Sequence, residues 1–180
     1  MDLSPVKREI LEALLMHDKP EKAAQVAKEV GKEFRPVQMH LLGLKRMGYA
    51  DSPEKGHFVI TEKGKQALGM PETSTENAAA ILNRLPQEKA FHFYIGIGKP
   101  LNVFAHSLQE FLDKITEVGA DSVEFHFSRG DFEAWFAGLG DTELARKTAL
   151  LKGKKLTREE IHMKLSKIVE SRCAMLSRII

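Results

Sequence analysis

Two stretches of the chain place a histidine between aromatic residues and then run into a basic loop with glycine. They are FHFYIGIGKP at 91–100 and FHFSRGDF at 125–132. These residue types suit anion capture. Gly96, Gly98 and Gly130 let backbone N–H groups approach a ligand closely, and Lys99 and Arg129 add positive charge. A helix beginning at Asp131 would turn its N-terminal dipole toward the same place. The expected ligand is a small anionic effector held by Gly96, Gly98, Lys99, Arg129 and Gly130. The competing reading is structural. His92 and Tyr94 alternate with Phe91, Phe93 and Ile95, and Glu124 and His126 alternate with Val123, Phe125 and Phe127. Period-two alternation alone puts the histidines on the second face of two strands. Buried there, they would need partners, for which Glu124, Arg129 and Tyr94 are at hand.

Other chemistries find less support. His92, His106 and His126 lack metal-ligand spacing on a helix, and no metal is expected. GIG lacks the third glycine of a dinucleotide fingerprint, and no Gly-x-Ser-x-Gly elbow occurs. The one cysteine, Cys173, lies in an amphipathic helix among Ile168, Val169, Leu176 and Ile180, where it reads as packing. No cofactor and no catalytic residue is expected, so the chain is not read as an enzyme.

The elements that must position these loops follow from the same alternation. Two strands flank SLQEFLDKITEVG, a helix that Ser107 and Glu110 can cap. A crossover of this length favours parallel strands, so residues 90–180 read as a small α/β domain with a β-α-β unit. A helical tail follows, and Thr157 with Glu160 caps its last member. Residues 71–89 read as a linker helix. Pro71 precedes it, Thr73 and Glu76 form a capping box, and ENAAAILNRL runs to Pro86.

Residues 1–70 read as three helices and a hairpin. Ser4 and Pro5 open the first helix, with an apolar stripe through Val6, Ile10, Leu11, Leu14 and Leu15. Pro20 starts the second and Gly31 stops it. Pro36 lies at the start of the third, whose inner face is Val37, Leu41 and Leu44. A strand from Tyr49, an SPEKG turn, the strand HFVIT and a short TEKGKQAL helix complete the segment, with Thr61 as cap.

Three helices followed by a hairpin are the winged helix-turn-helix arrangement. On LKRMGYA, SPEKG and FVITEKGKQAL, residues 3–69 resemble small winged-helix transcriptional regulators of archaea and bacteria. The resemblance implies double-stranded DNA as partner, with the third helix in the major groove and the hairpin on an adjacent backbone. Arg35, Met39 and Arg46 would then face the bases, Gln38 and Lys45 would flank them, and Lys55 and His57 would reach phosphates. One departure stands out. Met39, Leu42 and Gly43 occupy positions where polar side chains are expected. Such a helix can meet thymine methyls, or it can be a protein-binding surface.

Residues 86–148 resemble a domain of unknown function found in archaea and bacteria, which implies a folded unit and no activity. Charge is thinly spread. Residues 1–70 hold 12 Lys/Arg and 10 Asp/Glu, against 15 and 15 in residues 71–180. Low cysteine use, the absence of a membrane-length apolar run and a mixed-charge start lead to the expectation of a cytoplasmic protein. The combined expectation is an α+β regulator whose second domain dimerises or senses a signal. A homodimer would read paired half-sites. The alternative is a winged-helix interaction module that does not bind DNA.

Overall fold

In the computed structural model, which describes residues 3–180, Ser4 caps the N–H of Lys7 and starts α1 (Pro5–Leu15). Pro5 stands where a missing N–H costs nothing. A two-residue strand, β1 (Glu21–Lys22), precedes α2 (Ala23–Glu29). Pro20 therefore leads into a strand, and the second helix begins three residues later than expected. Next come α3 (Phe34–Arg46), β2 (Ala50–Glu54), β3 (His57–Ile60) and α4 (Glu62–Ala67). Thr61 accepts the Gly64 N–H at 3.1 Å and so caps α4 as expected. The strands form an antiparallel sheet in the order β1-β3-β2. The hairpin turn is tighter than SPEKG. Ser52 to Glu54 belong to β2, and only Lys55 and Gly56 separate the strands. Ile10, Leu14, Val26, Val37, Leu41, Leu44 and Phe58 fill the core, each worth about 1.5–3 kcal/mol of burial.

Residues Met1–Glu72 and Thr73–Ile180 form two compact units. The second begins with α5 (Thr75–Leu82), shorter than the expected linker helix. Its cap is Ser74, which accepts the Asn77 N–H at 3.1 Å, and not Thr73. Ala78 and Ile81 are buried within this unit. A single 3-10 turn (Gln87–Lys89) leads to β4 (Phe91–Gly96) and β5 (Lys99–Ala105). Then follow α6 (Leu108–Glu117), α7 (Ala120–Arg129), α8 (Asp131–Gly138), α9 (Thr142–Leu151) and α10 (Arg158–Ile179). The capping box of Thr157 and Glu160 is formed at the start of α10.

The β-α-β expectation is wrong. β4 pairs antiparallel with β5, and residues 120–129 form a helix. Two local causes explain the difference. Ile97 and Gly98 make a two-residue turn in which Gly98 holds φ +68°, a conformation glycine adopts without penalty. The apparent loop after it is a strand, in which Pro100 faces Tyr94 and needs no N–H toward β4. The alternation of 123–127 also hides a helical face. Ser122, Val123, His126 and Phe127 are buried together at spacings of one and four residues.

Aromatic rings make the centre of this unit. Phe91 lies 4.8 Å from Phe93, 5.4 Å from Phe111 and 5.3 Å from Phe132, centroid to centroid. The indole N–H of Trp135 donates to the Lys89 carbonyl at 2.9 Å. A buried ion cluster joins α9 to α10. Arg172, 3% exposed, donates through Nε to Asp141 Oδ2 at 2.8 Å and through Nη1 to Glu143 Oε2 at 3.0 Å. Lys147 Nζ stands 3.4 Å from Glu143 Oε1. Among the described residues, no helix is long and apolar enough to cross a membrane.

Candidate functional site

On α3, burial of Val37, Leu41 and Leu44 decides which residues face water. At about 100° per residue, Phe34, Arg35, Gln38, Met39, Leu42, Lys45 and Arg46 fall on one arc of about 140°. Six of the seven are exposed and Gln38 is half-buried. Among the described residues, Arg35, Lys45 and Arg46 make no ion pair and no side-chain hydrogen bond. Met39 is 63% exposed and Phe34 45%. The arc thus carries unpaired cations and large apolar groups together. Lys55 is exposed at the hairpin turn. His57 is half-buried and turned inward on its own hairpin, with Nδ1 3.3 Å from the Lys55 carbonyl and 3.6 Å from Glu54 Oε2.

In the second unit, the β4–β5 turn and the α7–α8 junction that follow the two triplets line one pocket. α7 packs against the edge of β4 that β5 leaves open. Tyr94 donates its N–H to Nε2 of His126 at 2.8 Å, and Ser122 Oγ donates to the Tyr94 carbonyl at 2.7 Å. Two helix side chains four residues apart therefore stand in for a third strand. Nε2 accepts, so Nδ1 carries the imidazole proton and donates it to Asp131 Oδ2 at 2.8 Å. Burial pushes the His126 pKa below its usual 6.5, against the pull of Asp131. Asp131 also accepts Nε of Arg129 at 3.1 Å, and that guanidinium covers the Phe125 ring at 5.0 Å.

A pocket of about 300 Å³ opens here. Its walls include His92, Tyr94, Gly96, Ile97, Gly98, Phe125, Arg129 and Asp131. Three of the five expected ligand residues, Gly96, Gly98 and Arg129, line it; Lys99 and Gly130 do not. Gly130 instead closes α7 and opens α8, while Lys99 begins β5 on the exposed surface. Both triplet histidines reach the pocket, with different duties. His126 has each ring nitrogen bonded. His92 donates from Nε2 to the Gln87 carbonyl at 3.1 Å, and its Nδ1 has no partner among the described residues. His106 lies elsewhere, bonded to Glu110 and Gln87. Glu110 accepts the His106 backbone N–H at 2.8 Å, which holds its carboxyl at about 2. Sequence reasoning missed the part played by Asp131, whose signal was its place two residues after Arg129 and five after His126.

No family model matches the chain, and comparison with curated proteins and with solved structures returns no significant match. The functional reading therefore rests on the residues themselves.

Proposed function

We propose that this protein is a DNA-binding transcriptional regulator. In this reading the first unit is a winged helix-turn-helix. Its α3 enters the major groove, and the β2–β3 hairpin lies on the adjacent backbone. The second unit dimerises the chain or senses a signal. The observation that carries the reading is the outward arc of α3, where Arg35, Lys45 and Arg46 have no carboxylate partner among the described residues. Unpaired guanidinium and ammonium groups on one helix face are free to neutralise phosphates or to read guanine edges. Met39 and Leu42 would meet thymine methyl groups. Lys55 at the hairpin tip supplies a further phosphate contact.

The same arc supports a second reading. Phe34, Met39 and Leu42 expose apolar surface, and aromatic residues and methionine are enriched in protein interfaces. Salt dependence separates the two. A phosphate contact releases counterions, so binding of a mixed-sequence duplex should weaken at least about tenfold between about 50 and 200 mM salt. Fluorescence anisotropy with a labelled duplex measures this. No binding at the lower salt would give the interaction module the stronger case.

A further inference from the structure

The pocket beside β4 holds two opposite charges whose outward atoms are unclaimed. Arg129 uses only Nε on Asp131, so among the described residues its two terminal nitrogens have no partner. Oδ2 of Asp131 receives both Arg129 and His126, which leaves Oδ1 without a partner among the described residues. Neither group is loose. Tyr94 fixes His126, His126 fixes Asp131, and Asp131 together with the Phe125 ring fixes Arg129. Ordering costs on binding fall when the receiving groups are already held.

The charge pattern narrows the ligand. A plain anion drawn to Arg129 meets the Asp131 carboxylate beside it, and a plain cation meets the guanidinium. A molecule with both charges satisfies both. Much of the remaining wall is apolar or aromatic, from Phe91, Phe125, Tyr94 and Ile97, with the His92 imidazole beside them. Ile97 is 85% exposed at the hairpin tip and would gain cover from an apolar body seated below it. A volume of about 300 Å³ stands at the small end of ligand sites.

We propose that this pocket binds a free α-amino acid with an aromatic or branched aliphatic side chain. The α-carboxylate bonds the terminal nitrogens of Arg129, and the ammonium bonds Oδ1 of Asp131. The side chain lies against Phe125 and Ile97. The proposal deepens the sensing half of the function above and does not rest on the DNA-binding half.

The test is isothermal titration calorimetry on the full chain without nucleic acid. The probes are phenylalanine, leucine, 3-phenylpropionate and 2-phenylethylamine. Phenylalanine or leucine should bind. Each analogue lacks one charge and should bind at least about tenfold more weakly than phenylalanine, the loss expected for one charge-assisted hydrogen bond. Arg129→Gln should abolish binding. That side chain is half exposed, and the thermal melt of the variant checks its fold. The analogue series uses the unaltered chain and decides the matter if the variant fails to fold. Three results overturn the proposal. The first is no heat from either amino acid at millimolar concentration. The second is 3-phenylpropionate binding as tightly as phenylalanine. The third is binding unchanged in a folded Arg129→Gln.

Discussion

The backbone N–H of Tyr94 donates to Nε2 of His126 over 2.8 Å, so this imidazole is held neutral by a donor that cannot turn around. Protonating Nε2 would break that bond at a residue that is only 3% exposed. Asp131 favours the charged ring, but burial outweighs it and Arg129 opposes it as well. The sign of the pH effect follows. An unfolded chain takes up the proton near pH 6.5, and the folded chain does so only at lower pH. Stability is therefore full above about 6.5 and falls as the pH drops below it, by at most about 1.4 kcal/mol per unit for this one proton. Urea midpoints measured from about pH 8 to pH 5 should fall, and His126→Gln should flatten that slope.

Gly64 marks a close approach in the first unit. A Cβ there would lie 2.1 Å from the Tyr49 carbonyl oxygen and 2.9 Å from Ile60 Cγ1. The oxygen is backbone and already accepts the Thr61 N–H at 3.1 Å, so it cannot step aside cheaply. Gly64→Ala should cost about 1–3 kcal/mol in chemical denaturation. Gly43 is the control. Nothing lies within 4 Å of its Cβ direction, and it sits inside α3. Gly43→Ala should stabilise by about 0.5–1 kcal/mol.

The Arg172 cluster predicts a larger loss. Asp141 is fully buried and Glu143 nearly so, and both rely on this guanidinium. Arg172→Met would take the buried counter-charge from Asp141 and one of two cationic partners from Glu143, which keeps Lys147. It should destabilise by about 3–5 kcal/mol, read from the denaturant midpoint. Replacing the exposed Arg129 by glutamine should cost much less.

Cys173 should be silent in the folded protein. Burial raises its pKa from 9.0 to about 11, with Asp141 and Asp113 adding to the rise and Arg172 opposing it. Thiolate is then about one part in a thousand at pH 8. A chromogenic disulfide reagent should label it only as fast as the chain unfolds. Rapid stoichiometric labelling at pH 8 would show that α10 opens readily.

Most of the first unit could be read from its punctuation. Ser4, Thr61 and the stripe of Val37, Leu41 and Leu44 state helix starts and faces by short-range rules, and those rules held. The strand at Glu21–Lys22 left no such mark, because two residues carry no period. In the second unit, Val123, Phe125 and Phe127 satisfy a strand pattern while Ser122 and His126 satisfy a helical one, and tertiary contact with Tyr94 selects the helix. The pocket was legible in its glycine loop and in Arg129. Its acid, Asp131, was read only as a helix start. The pairing of Asp141 with Arg172 spans 31 residues, and no local pattern of charge announces it.

The central claim is that the outward arc of α3 lies on duplex DNA. The most direct test compares the salt dependence of duplex binding for the unaltered chain and for the double variant Arg35→Ala/Arg46→Ala. Both side chains are exposed, so the fold should survive, and a thermal melt confirms it. The account predicts binding that weakens as salt rises, and a slope of log affinity against log salt that is shallower in the variant by about 1–2. Equal affinity and equal slope for the two proteins would contradict it.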